Sequence, residues 1–131
     1  MAQSQNSKVE LTIKGTNLMG LTSEGNVMVG NKAFEFYNER NTDDFVQIPW
    51  DEIDHVSASV VAGKHIPRFA IYTKGNGHFT FSTRDNKQTL RAIREHVGED
   101  KLLRSPDFKD VFIAGVKSVP GLVGALFRRG K

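Results

Sequence analysis

From Lys8 to Thr83 the chain runs in short apolar alternations broken by glycine and polar turns, the pattern of strands that bury one face of a sheet. Lys8 to Lys14 sets Val9, Leu11 and Ile13 on one side. Asn26 to Val29 and Ala33 to Tyr37 form an expected hairpin across Gly30-Asn31-Lys32, with Phe34 and Phe36 pointing the same way. Phe45 to Trp50 and Ile53 to Val61 follow. The sharpest hairpin joins Phe69 to Thr73 with His78 to Ser82 through Lys74-Gly75-Asn76-Gly77, whose glycines and asparagine accept the positive φ of a tight turn. Its core face is Phe69, Ile71, Phe79 and Phe81.

At Asp85 the period changes from two to helical. Asp85 caps with Gln88 three residues on, Leu90, Ile93 and Val97 share one stripe, and Gly98 is the stop. About seven strands followed by an amphipathic helix predict a mainly β fold with one or two C-terminal helices. The expected form is a curved antiparallel sheet or partial barrel whose open end the helix plugs, the element order of a pleckstrin-homology-like architecture. A second helix is predicted to start at Ser105-Pro106-Asp107, with Ser105 capping and Pro106 at the first helical position. Pro120 breaks or kinks any helix through Phe112 and Val116. The expected organisation is a β-rich domain with its capping helix over residues 8–98 and a basic, partly apolar helical tail over 99–131.

The length of 131 residues suits one domain. Without cysteine there is neither a disulfide nor a thiolate metal site, which is compatible with a reducing compartment. The polar start, Met1 to Lys8, lacks the apolar stretch of a secretory signal, so a cytoplasmic location is expected. The longest nearly apolar stretch, Val119 to Phe127, is nine residues, against the roughly 20 that a spanning helix needs.

Charge separates the two parts. Residues 1–100 carry 11 Lys/Arg against 13 Asp/Glu, and residues 101–131 carry seven against two. A near-neutral core therefore precedes a tail of net +5, suited to an anionic surface or a partner's groove. In the tail Phe112, Val116, Val119, Val123 and Phe127 recur at helical spacing. That stripe either packs on the chain's own sheet or meets a partner. Arg128, Arg129 and Lys131 would each add about 1 kcal/mol beside an anionic leaflet, a weak and reversible anchor.

Among candidate sites, Gly63-Lys64-His65-Ile66-Pro67-Arg68 places two cations and an imidazole on a connecting loop, where Lys64 and Arg68 can pair with a phosphate or carboxylate of a partner. The plainer reading is a solvated loop. Trp50, beside Asp51, Glu52 and Asp54, is either a semi-buried corner residue or an interface anchor. Three adjacent carboxylates make no acid/base pair across a cleft, so a hydrolase is not expected. His55, His65, His78 and His96 form no His-x-x-x-His pair, and no feature around His65 activates it as a phosphoryl acceptor. No nucleotide loop or nucleophile elbow occurs. Neither a catalytic residue nor a cofactor nor a metal is expected.

Gly30 to Asn38, Ile48-Pro49-Trp50-Asp51-Glu52-Ile53, Gly63 to Phe69, Phe79 to Ser82 and Leu90 to Arg94 together resemble domain-of-unknown-function family 956. The likeness runs from about Lys8 to Val116. Members of this bacterial family are often encoded beside mannose-class phosphotransferase components, so the resemblance implies a Gram-positive cytoplasmic protein tied to a sugar-uptake membrane complex. The leading expectation is a non-enzymatic adaptor or regulator docking on the cytoplasmic side of such a complex. It would do so through Trp50, Lys64, His65, Arg68 and the tail residues Phe112, Val116, Phe127, Arg128, Arg129 and Lys131. A binder of anionic lipid surfaces is the alternative. A nucleic-acid regulator of sugar-uptake genes comes third, because the core cations are scattered and matched by acids. Self-association through open sheet edges stays open.

Overall fold

The computed structural model describes residues 3–75 and 77–106, with the side chains of Ser105 and Pro106 excepted. Eight strands precede or follow one α-helix: β1 (Val9–Asn17), β2 (Ser23–Gly30), β3 (Ala33–Asn38), β4 (Phe45–Pro49), β5 (Ile53–Val60), β6 (Phe69–Thr73), β7 (His78–Thr83), α1 (Asn86–Val97) and β8 (Leu102–Pro106). They form one sheet in the order β4-β3-β2-β1-β7-β6-β5-β8. Each neighbouring pair is antiparallel except β5 with β8, which is parallel from Val56↔Leu102 to Val60↔Pro106.

Ring distances show how strongly the sheet curls. β3 and β6 are four positions apart in the order, about 19 Å in a flat sheet at ~4.8 Å per strand. Yet the Phe34 and Phe69 ring centroids stand 6.2 Å apart. The two ends of the sheet therefore fold over one core. Phe81 sits among three other rings, 4.9 Å from Phe34, 5.8 Å from Phe36 and 6.2 Å from Phe69. Leu90 and Ile93 of α1 close the same cluster, and Val97 packs on its margin.

Glycine at two facing positions lets strands β1 and β2 lie close against their neighbours. Gly15 pairs with Gly25, and a Cβ built on buried Gly25 would overlap the Tyr37 carbonyl oxygen of β3. Gly25→Ala is expected to cost about 1–3 kcal/mol, as overpacking against a fixed backbone does. The reading is a lower urea midpoint with an unchanged m-value; an unmoved midpoint would show that β3 yields freely.

The expected hairpins, the Asp85 cap and the Gly98 stop are present. Asp85 Oδ1 accepts from the Gln88 N–H at 3.0 Å, and Gly98 takes φ 91°. Four readings are corrected. Val9 is 42% exposed because the register shifts between Val9 and Leu11. Trp50 leaves the fourth strand to open a short 3-10 turn, Trp50–Glu52. Ser105 and Pro106, expected to begin a second helix, lie in β8, where the β5 edge supplies backbone partners. The sheet thus extends past residue 98, where the β-rich domain was expected to end.

Candidate functional site

The β5–β6 connection, residues 61–68, opens with a tight turn at Val61 to His65. Ala62 (φ 55°) and Gly63 (φ 78°) are both left-handed, the central pair of a turn that the Lys64 N–H closes onto the Val61 carbonyl at 3.2 Å. Val61 and His65 exchange backbone bonds across it at 2.7 and 2.9 Å. The following residues are tied to the start of α1. Asn86 Nδ2 donates to the Ile66 carbonyl at 2.8 Å, and Ser82 Oγ donates to that of Pro67 at 2.8 Å. Lys64 and His65 are exposed beyond this anchor, and Arg68 is half-buried.

Beside the turn lies a groove of about 350 Å³ between α1 and β8. Its apolar floor is Ala58, Ile66, Leu90, Leu102 and Leu103. Its rim is Lys87, Arg91, Arg94 and Arg104, four cations with no carboxylate among the lining residues. Lys87, Arg91 and Arg94 stand at i, i+4 and i+7 of α1, one face of a helix. The Arg104 guanidinium donates to the Gly63 carbonyl at 3.2 Å, joining the groove to the turn. The sequence placed Leu90 on the helix's apolar stripe. It did not show Arg104 opposite Arg91 and Arg94, because β8 arrives by a non-local parallel pairing.

Trp50 stands apart from this face, towards the other end of α1. Its Nε1 donates to the Gly30 carbonyl at 2.9 Å, and its ring stacks on His96 at 4.5 Å and 6°. His96 Nε2 in turn meets Glu10 Oε1 at 2.6 Å. One tryptophan thereby links the turn after β4, the end of β2 and the helix. Trp50→Ala is expected to lower stability by about 2–3 kcal/mol, somewhat below a fully buried aromatic, whereas Trp50→Phe keeps the stack and loses about 1 kcal/mol with the hydrogen bond. A melting temperature of Trp50→Phe equal to the parent's would deny the N–H its role, and one equal to that of Trp50→Ala would deny the stack its own.

A second aromatic row crosses the sheet's outer side. The Tyr72 ring stacks on His55 at 4.4 Å and on His78 at 5.0 Å, as their cross-strand pairing dictates. His55 Nδ1 faces Asp54 Oδ2 at 2.7 Å, while His55 Nε2 is buried with no partner. The same hydrogen bond holds the Asp54 carboxyl below its ordinary value. Its stabilising effect is therefore present above pH 3.8 and fades as pH falls through the lowered value. Among the described residues no group of three or more His, Asp or Glu is placed to hold a metal ion, and no helix is long and apolar enough to cross a membrane.

Sequence reading also missed Glu35. It is fully buried on the side of β3 opposite Phe34 and Phe36, under the polar segment before β1. The Glu35 carboxylate accepts from Ser4 Oγ at 2.5 Å, the Gln5 N–H at 2.7 Å and Asn6 Nδ2 at 3.1 Å. Asn6 Oδ1 accepts from the Lys32 and Ala33 N–H groups, each at 2.8 Å. Gln47 Nε2 donates to the Gln3 carbonyl and the Tyr37 hydroxyl. Burial raises the Tyr37 phenol above its ordinary value, the Gln47 bond opposes that, and the Glu35 charge adds to it. Phe112, Val116, Phe127, Arg128, Arg129 and Lys131 lie outside the described residues.

Two solved structures share the fold at low identity. The C-terminal domain of an unknown protein from Leishmania infantum matches with a TM-score of 0.61 and 13% identity, covering 69% of this chain and 84% of that one. The Spt16D Pob3N heterodimer matches with a TM-score of 0.57 and 11% identity, covering 76% of this chain and 55% of that one. No curated protein sequence matches. The model of the domain of unknown function DUF956 matches residues 1–116, the whole length over which the hairpins, the helix and the groove are built, and the chain belongs to that family.

Proposed function

We propose that this protein is a non-enzymatic, pleckstrin-homology-like docking module that engages the cytoplasmic side of a mannose-type sugar phosphotransferase membrane complex. The observation that carries the proposal is the apolar groove rimmed by Lys87, Arg91, Arg94 and Arg104, continuous with the turn that presents Lys64 and His65. Cations set around an apolar floor steer and orient an acidic partner without any chemical step. The tail, with Arg128, Arg129 and Lys131, adds attraction for the membrane around the complex. The resemblance to a family encoded beside mannose-class components supplies the choice of complex.

Co-purification from detergent-solubilised membranes of cells making the complex tests this. The full chain is expected to bring down the membrane subunits, and recovery without them overturns the proposal. A chain ending at Lys117 assigns the contact. If it also brings them down, the folded domain carries the contact; loss of binding assigns it to the tail.

One observation favours a lipid surface as a second reading. The β1–β2 turn projects Leu21, 95% exposed, and Met19, 38% exposed, an apolar tip of the kind that enters a headgroup layer. Salt-sensitive binding to pure anionic vesicles would support it, and none would exclude it.

A further inference from the structure

We infer that the groove between α1 and β8 seats an extended acidic segment of a partner protein, one in which carboxylate and aliphatic side chains alternate. This inference rests on the docking reading and names the chemistry of its contact. Among the described residues β8 is the outermost strand at one end of the sheet, so its second edge can take another strand. On an added strand, side chains two apart share a face at about 6.8 Å. Lys87 and Arg91 are one helical step of four residues apart, about 6 Å along α1. Groove-facing side chains of an extended segment are therefore spaced much as the cation row is, so its aliphatic groups cover Ile66, Leu90 and Leu102 while the long Lys and Arg side chains of the rim reach its carboxylates.

Charge decides among the occupants. The chain's own residues 107–131 carry five Lys/Arg against two Asp, the same sign as the rim, so charge disfavours them as the groove's occupant. A single-stranded nucleic acid matches the sign but needs aromatic platforms for its bases, and the floor is wholly aliphatic. An acidic, aliphatic peptide satisfies both the rim and the floor.

The test is titration of the isotopically labelled full chain with a short, end-capped peptide alternating glutamate and leucine, followed by amide NMR shifts. Saturable shifts confined to Ile66, Lys87 to Arg94 and Leu102 to Arg104 are expected, weakened by added salt. A peptide with lysine in place of glutamate should not bind. The Arg91→Glu/Arg94→Glu chain should lose about tenfold or more in affinity, while Arg91→Lys/Arg94→Lys, which keeps the charge, retains most of it and controls for folding. The inference is overturned by any of four results: no saturable shift, equal affinity in the charge-reversed chain, groove shifts on removing residues 107–131 without peptide, or the same shifts from anionic vesicles. Its failure is separable from that of the docking reading. A wild-type chain that binds the peptide but brings down no membrane subunits overturns only the choice of complex. A charge-reversed chain that loses the peptide but still brings them down overturns only the groove as the contact.

Discussion

Phe81→Ala is expected to leave the domain barely folded. The side chain is fully buried and lies within 6.2 Å, ring centre to ring centre, of Phe34, Phe36 and Phe69. Truncating such an aromatic removes its transfer free energy and leaves a cavity, together about 3–5 kcal/mol. Small domains hold only about 5–15 kcal/mol in all. Phe81 also joins the two halves of the sheet, because β7 pairs with β1 on one side and β6 on the other. Loss of the ring thus loosens packing across the fold rather than at one spot. Thermal unfolding followed by circular dichroism should show a drop of more than about 10 °C. The half-buried Phe79 gives the comparison: a Phe79→Ala loss as large as that of Phe81→Ala would refute the central place given to this ring.

Glu35→Ala carries the second large effect, through a different physical cause. A carboxylate with no solvent exposure is tolerated only because its lone pairs are filled, here by Ser4, Gln5 and Asn6. Hydrogen bonds to a charged group contribute about 1.5–3 kcal/mol, and the alanine variant loses three of them while sparing the desolvation cost of the charge. The net loss expected is about 2–3 kcal/mol, and the first residues should detach from β3. Hydrogen exchange at the Gln5 amide separates this from general destabilisation. It should be protected in the parent and exchange freely in the variant under conditions where the core amides of β2 and β3 stay protected. Persisting protection at Gln5 would mean that Asn6 and its bonds to Lys32 and Ala33 hold the segment alone.

What the sequence disclosed and what it hid divide along the distance between partners in the chain. The Phe69–Thr73 and His78–Thr83 hairpin, the Asp85 cap and the Leu90, Ile93 stripe are set by residues within a few positions of each other, and each was readable from turn chemistry and period. β8 was not, because Leu102-Leu103-Arg104-Ser105-Pro106 becomes a strand by pairing in parallel with Ser57 and its neighbours. Its local signal, serine followed by proline, points to a helix start. Glu35 was hidden by the same alternation that revealed Phe34 and Phe36: a polar residue between two core aromatics reads as solvent-facing. Only the polar segment at residues 4–6, which has no periodicity to announce a fold, turns that face inward. The groove combines both cases, since Leu90 of its floor was visible in the helical stripe but its opposite wall was not.

Both outermost strands of the sheet, β4 and β8, finish on proline, at Pro49 and Pro106. A proline has no N–H to offer an added strand. A free edge otherwise templates stacking of identical chains into aggregates, and here the ladder offered at either side ends in a residue that cannot continue it. An edge that admits a short guest and opposes an endless one allows a sheet to be left open without inviting fibrils.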